Sequence, residues 1–225
     1  MGKLFSDATP EQERAFIEER RKFAFLAACQ WPLSWLIPAR RHKRAADILY
    51  EIAHDAYERN LERWLSEVKV GLPGGSVSRT LEGQELIDHY NIELLEEYFL
   101  LAGYALECVL KGYLLAILPE LVNDEKRIDR LVAIHNLGQL CQDCALPISQ
   151  EERALLDLMT RHIVWGKYAG PLKLEDMPSP VDPDDQKAKS LSIANPFHER
   201  RVQSLVNGIF QRALDLLNSV RNQSS

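Results

Sequence analysis

One apolar stretch, residues 99–118, constrains this chain more than any other feature of its sequence. Its twenty residues are enough for a helix to span a bilayer. Glu107 and Lys111, however, lie in its middle, and each charge at a bilayer centre costs about 2.5–3.5 kcal/mol on insertion scales. The stretch therefore predicts the central helix of a soluble helical bundle rather than a membrane span.

The N-terminal half of the sequence also favours helices. Thr9, Pro10 and Gln12 form a capping-box pattern with a proline at the first helical position. After Pro38, apolar residues recur at i, i+3, i+4 and i+7, which is the period of one helix face. The expected helices here cover about 9–30, 38–68 and 85–118.

Three further helices are expected towards the C-terminus. A short helix carries Cys141 and Cys144, and Ser149 with Glu152 makes a capping box for a helix that ends near Trp165. A proline-rich acidic segment, 166–194, is expected to be a long surface loop. A last helix follows Asn195-Pro196 and should face inward through Val202, Leu205, Val206, Ile209, Phe210, Leu214 and Leu217.

These patterns predict an all-α protein, because glycine and proline are too scarce, at eleven each in 225 residues, for the many tight turns of an all-β chain. We expect an up-and-down helical bundle with an extra N-terminal helical pair. The glycine-rich segment 71–76 divides the chain into a helical extension, 1–70, and a bundle domain, 81–225.

Charge and cysteine content limit the class of protein and the cellular compartment. A formal net charge of −6 argues against a general nucleic-acid coater, because non-specific affinity comes from Lys and Arg neutralising phosphates. Four cysteines without framework spacing suit a reducing cytosol. The arginine pair at 20–21 lacks the apolar region that an export signal needs. We expect a cytoplasmic protein that does not contact a membrane.

Cys141 and Cys144, with His135 six residues earlier, could suggest a metal site. Zinc sites need four ligands, and no second pair stands at a recognisable spacing. Two thiols at i and i+3 on an apolar helix are more typical of core packing. We therefore expect neither a metal nor another cofactor.

Two charged features remain as candidates for binding. Glu107 and Lys111 stand at i and i+4 on the most apolar helix, where they could pair within the core, line a groove or reach a partner chain. The densest basic run contains Arg40, Arg41, Lys43 and Arg44, which either bind an anionic partner or form a solvated stretch.

Three segments together resemble the HEPN (higher eukaryote and prokaryote nucleotide-binding) family. They are 102–111 (AGYALECVLK), 135–140 (HNLGQL) and the end of the capped helix, 165–168 (WGKY). The resemblance covers about residues 85–170. It implies a dimerising helical bundle that occurs in bacterial defence or toxin–antitoxin systems, beside a nucleotidyltransferase partner, or as a nucleotide-binding accessory domain.

Active members of the family are metal-independent ribonucleases with an arginine followed four to six residues later by a histidine. The extended motif of the family is Arg-Asn-x-x-x-His-x-Tyr. On this chain Arg161 and Tyr168 match its first and last positions, and His162 takes the place of the asparagine. Gly166 occupies the position of the catalytic histidine. Glycine cannot transfer a proton, so the resemblance implies a degenerate ribonuclease motif.

The sequence therefore predicts a non-catalytic HEPN-like homodimer that binds RNA, a nucleotide or a protein partner such as an antitoxin. The expected groove contains Arg161, His162, Lys167, Tyr168, Glu107 and Lys111. One alternative is a divergent ribonuclease that uses Arg161 with His162, or Arg130 with His135. In that second pair His135 belongs to the 135–140 segment, where a helix-start cap or a core hydrogen bond is its simpler role. The other alternative is a pure protein-interaction module.

Overall fold

The computed structural model describes residues 9–69, 82–123, 127–129, 132–165 and 200–223. Within these ranges the chain is an all-α helical bundle, as the sequence predicts. Its helices are α1 (Pro10–Gln30), α2 (Pro32–Lys69), α3 (Gln84–Glu93), α4 (Leu95–Ile117), α5 (Leu137–Asp143), α6 (Gln150–Trp165) and α7 (Arg201–Gln223). A 3₁₀ turn (Pro119–Leu121) and a minimal antiparallel pair, β1 (Val122–Asn123) and β2 (Arg127–Ile128), follow α4.

Helix α4 lies at the centre of the bundle, which confirms the central position predicted for the apolar stretch. Thirteen of its residues are buried, and α2, α5, α6 and α7 all pack against it. The segment formed by α3 and α4 is the one candidate membrane span in the described residues, and 61% of its most apolar window is buried inside the protein. The core helix of a soluble protein passes the same test, so this finding is only weak support for a membrane.

The approach of α2 and α6 to α4 depends on small residues. At Gly112 an added Cβ would lie 2.5 Å from the Cβ of Trp35 on α2. At Gly103 an added Cβ would lie 2.9 Å from the Cδ1 of Ile163 on α6. Both glycines therefore let neighbouring helices approach more closely than a side chain would permit.

The first helix begins and ends as its caps predict. The Thr9 hydroxyl accepts from the Gln12 backbone N–H at 3.3 Å, and the Thr9 N–H donates to the Gln12 side chain at 2.8 Å. At the other end, the Trp31 N–H donates to the Ala27 carbonyl. Near its C-terminus α1 docks on the bundle through Cys29, which is buried in a small second core with Leu115.

The prediction that the second helix begins after Pro38 is wrong, because α2 begins at Pro32 and runs through that proline. Long-range contacts hold the extra turns. Leu36 is buried in the core, and the Trp35 indole N–H donates to the Cys29 carbonyl at 2.7 Å. These contacts offset the backbone hydrogen bond that a proline inside a helix removes.

The single helix expected over 85–118 is also wrong, since a turn at Leu94 separates α3 from α4. This break lets α3 lean on α2. The fully buried Asp88 carboxylate accepts hydrogen bonds from Arg59 at 2.8 Å and from Arg63 at 3.1 Å. No glycine or proline marks the break in the sequence, so only these contacts between distant segments explain it.

The C-terminal elements follow the sequence patterns closely. The predicted capping box is present, with Ser149 and Glu152 exchanging hydrogen bonds of 2.8 and 3.1 Å at the start of α6. The predicted inward face of α7 is confirmed, with Leu205 partly buried and the other six positions buried. The expected 71–76 domain boundary, the 166–194 loop and the Asn195-Pro196 start lie outside the described residues.

Candidate functional site

A charged cluster interrupts the apolar packing along one side of α4. The Lys111 ammonium donates to the Glu107 carboxylate at 2.7 Å, and the side chains are only 9% and 11% exposed. The pairing considered from their i, i+4 spacing is therefore present and buried. His135 joins it from outside the helix, because its Nδ1 lies 3.1 Å from both Glu107 carboxylate oxygens.

The start of α5 places His135 against α4. Asn136 is the N-cap of α5, since its side chain accepts from the Gln139 N–H at 2.9 Å. The Leu137 N–H then donates to the Thr160 hydroxyl of α6 at 3.1 Å. The sequence predicts one of two roles for His135, a helix-start cap or a core hydrogen bond. The N-cap is Asn136, and His135 makes the hydrogen bond, to Glu107.

Tyr104 and His42 extend this polar strip towards α2. Tyr104 precedes Glu107 by about one helical turn, and its ring centroid lies 5.8 Å from that of His42. Burial, with the nearby negative charge of Glu107, raises the pKa of the Tyr104 hydroxyl. Sequence reasoning missed both residues. The i, i+3 spacing from Tyr104 to Glu107 was the available signal, whereas nothing local indicates His42.

The arrangement has a defined acid–base character. A carboxylate can only accept, so the Nδ1 of His135 carries the proton that is donated to Glu107. This contact fixes the orientation of the imidazole ring. The His135 side chain is 37% exposed, so the cluster reaches the surface at this residue.

Residues Arg161 and His162 occupy the last turns of α6, where both are partly buried. The His162 ring stacks on Phe99 of α4 with centroids 5.4 Å apart and planes inclined by 24°. Burial lowers the pKa of His162, which favours a neutral packed ring. Adjacent helical side chains point about 100° apart, so Arg161 does not share this orientation.

Several predicted site residues cannot be placed in this arrangement. Gly166, Lys167 and Tyr168 follow the last described residue of α6, and Arg130 falls in another gap. Of the Arg130–His135 pair, only His135 therefore lies within the described residues.

The basic run lies inside α2, in its third and fourth turns, rather than beside a helix N-terminus. Arg40, Arg41 and Arg44 are exposed, and no carboxylate partner for them is found within the described ranges. Lys43 differs, because it is mostly buried, donates to Asp47 and lies over the Phe210 ring at 5.8 Å. Three arginines therefore remain for an external anion.

Cys141 and Cys144 are buried free thiols in the core. Burial raises the pKa of Cys141 to about 11 and that of Cys144 to about 12, so both are protonated near neutral pH. The Cys144 thiol donates to the Leu110 carbonyl at 3.5 Å. In the described part of the chain, no three His, Cys, Asp or Glu side chains are grouped to hold a metal ion.

A comparison of the chain with protein-family models, curated proteins and solved structures found no match.

Proposed function

We propose that the protein is a non-catalytic, cytoplasmic HEPN-like bundle that binds RNA in a defence or toxin–antitoxin-type system. The observation that carries this proposal is the trio of exposed arginines on α2: Arg40, Arg41 and Arg44. In an acidic protein, such a local cluster binds phosphates while the net charge limits indiscriminate attachment. Guanidinium groups suit this role because their planar fork matches a phosphate.

Contacts between two of the HEPN-like segments, and from each of them to α6, support the assignment to that family. The first segment contributes Gly103 and Glu107, which contact Ile163 of α6 and His135 respectively. The second segment is joined to α6 through the bond between Leu137 and Thr160. The 102–111 and 135–140 segments therefore pack on each other and on the helix that ends at the third segment, as a shared bundle requires.

Two observations support a binding role without catalysis. His162 stacks on Phe99 and its lowered pKa keeps the ring neutral, which fits packing better than proton transfer. Residue 166 is glycine, which has no group to exchange a proton.

Fluorescence anisotropy with a labelled single-stranded RNA tests the proposal. Replacing Arg40→Ala and Arg44→Ala together should weaken binding at least tenfold, because each lost phosphate contact removes a charge-assisted hydrogen bond worth about 1.5–3 kcal/mol. The matched control replaces Arg14→Ala and Arg21→Ala, which removes the same charge from exposed positions on α1.

Equal losses in the two double variants would show non-specific attraction and contradict the proposal. Competition by ATP or inorganic phosphate identifies whether a nucleotide or a simple anion satisfies the same arginines. Replacing Arg161→Ala with Lys167→Ala tests the groove expected at the end of α6. Unchanged affinity in that variant would remove those two residues from the interface.

One observation favours the alternative of a metal-independent endoribonuclease. The Glu107 carboxylate orients the part-exposed His135 ring, as a general base requires. Total RNA incubated with the protein and EDTA would then be cleaved. His135→Ala and Glu107→Gln would abolish cleavage, whereas His162→Ala would not. Intact RNA under these conditions supports the binding role.

A further inference from the structure

The outer face of α2 carries a regular stripe that does not face the core of its own chain. Its members recur at the 3.6-residue period of a helix, about 180° around α2 from the buried Ala39, Ala46 and Tyr50. This outer stripe consists of Ile37, Arg41, Arg44, Ile48, Ile52 and Asp55.

The outer stripe combines exposed apolar side chains with positive charge in its N-terminal half and a negative charge at its C-terminal end. Ile37, Ile48 and Ile52 are 48%, 53% and 39% exposed. Arg41 is exposed, and the Asp55 side chain is 65% exposed. Single exposed isoleucines are ordinary, but three on one line with flanking charges are typical of an interaction surface.

We propose that the outer stripe is the dimer interface, occupied by the same stripe of a second copy in antiparallel orientation, with the two-fold axis at Ile48. Arg41 and Asp55 each lie seven residues from Ile48. In this register Arg41 therefore faces Asp55 of the partner subunit, and the symmetry makes this pair twice. Parallel pairing would instead set Arg41 against Arg41 of the partner subunit, which like-charge repulsion opposes.

The same symmetry brings together two of the three exposed arginines of each copy, Arg40 and Arg44, whereas Arg41 pairs across the interface. This step rests on the proposed RNA-binding function. With a two-fold axis perpendicular to α2, a residue and its copy in the partner subunit lie on the same side of the interface between the two helices. Arg44, at the edge of the stripe, and Arg40, next to that edge, lie on the same side of Ile48, about 6 and 12 Å along the helix from it. The dimer therefore aligns four arginines along about 24 Å, which suits the phosphates of an extended single strand.

Disulfide crosslinking tests the position of the axis without involving RNA. Ile48→Cys places two thiols next to each other at the axis, so mild oxidation should convert most of the protein into a covalent dimer on a non-reducing gel. Glu62→Cys is the matched control, because it is also exposed on α2 but would lie about 42 Å from its own copy.

Monomeric Ile48→Cys protein after oxidation would overturn the proposal. Equal crosslinking of the two variants would do so as well, because it would indicate random collision. The proposal would also be contradicted if the protein is monomeric in solution and binds only a different protein through the stripe.

Charge exchange tests the register. Arg41→Asp and Asp55→Arg should each raise the dimer dissociation constant about tenfold or more in sedimentation measurements, because each puts like charges face to face. The double variant Arg41→Asp with Asp55→Arg should restore the dimer. Failure of the double variant to recover, with a normal helical circular dichroism spectrum, would refute the register. A dimer that forms but does not bind RNA would refute the RNA-binding proposal alone.

Discussion

The buried pair on α4 provides the sharpest prediction about stability. Lys111→Met removes the ammonium that neutralises the buried Glu107 carboxylate and leaves it the hydrogen bond with His135. Breaking a buried pair by removing one partner costs about 3–5 kcal/mol. Because the Glu107 and Lys111 side chains both keep about a tenth of their exposure, we expect a loss of stability at the lower end of this range, about 3 kcal/mol.

The double variant Glu107→Met with Lys111→Met separates stability from function. Two apolar side chains of similar volume replace the pair without leaving a buried charge, so its stability should return to within about 1 kcal/mol of the original protein. His135 is then solvated at its exposed edge. Urea unfolding followed by circular dichroism measures the stability of the original protein and of both variants. The Lys111→Met variant should also melt about 6–12 °C lower, at about 2–4 °C per kcal/mol.

Two outcomes would refute this reasoning. One is a Lys111→Met variant as stable as the original protein, because the charge would then not depend on its partner. The other is a double variant less stable than the Lys111→Met variant. If the double variant instead recovers its stability as expected, folding does not require the charged cluster. A role in binding or catalysis then explains better why the cluster is present.

Further predictions concern helix packing and pH. Gly112→Ala should destabilise the protein by about 1–3 kcal/mol, because the new Cβ meets the root of the Trp35 side chain. Gly138→Ala is the control, since its Cβ meets the flexible end of Arg153, which can move away. Separately, hydrogen bonding by Arg59 holds the pKa of Asp88 below its ordinary value. The stability that Asp88 contributes is therefore complete above the unfolded pKa of about 3.9 and is lost as the pH falls through the lower, folded value. Asp88→Asn should lower stability at pH 7 and reduce the loss of stability in acid.

Thermal unfolding across pH checks both of these predictions. Equal destabilisation by the two glycine variants would contradict the steric argument. An acid-unfolding profile unchanged by Asp88→Asn would show that Asp88 does not contribute to the pH dependence.

The sequence predicts the parts of this fold that depend on neighbouring residues. The capping boxes at Thr9 and Ser149 need only a partner three residues away, and both are present. The inward face of α7 follows from the helical period. Such features are local, so their physical causes are complete within one segment.

Features set by distant contacts were missed. The break at Leu94 depends on Arg59, which is 29 residues from its partner Asp88. The α2 turns before Pro38 depend on packing by Leu36. Likewise, the sequence indicated the Glu107–Lys111 pair from its spacing, whereas the contact with His135, 28 residues away, required the fold.

The salt dependence of RNA affinity tests the central claim most directly. In the proposed dimer, four arginines that each neutralise one phosphate predict a slope of about −2.8 for the logarithm of affinity against the logarithm of salt concentration with a single strand. Arg40→Ala removes two of the four and should reduce the slope to about −1.4. No binding at low salt, or the same slope with and without Arg40, would contradict the account.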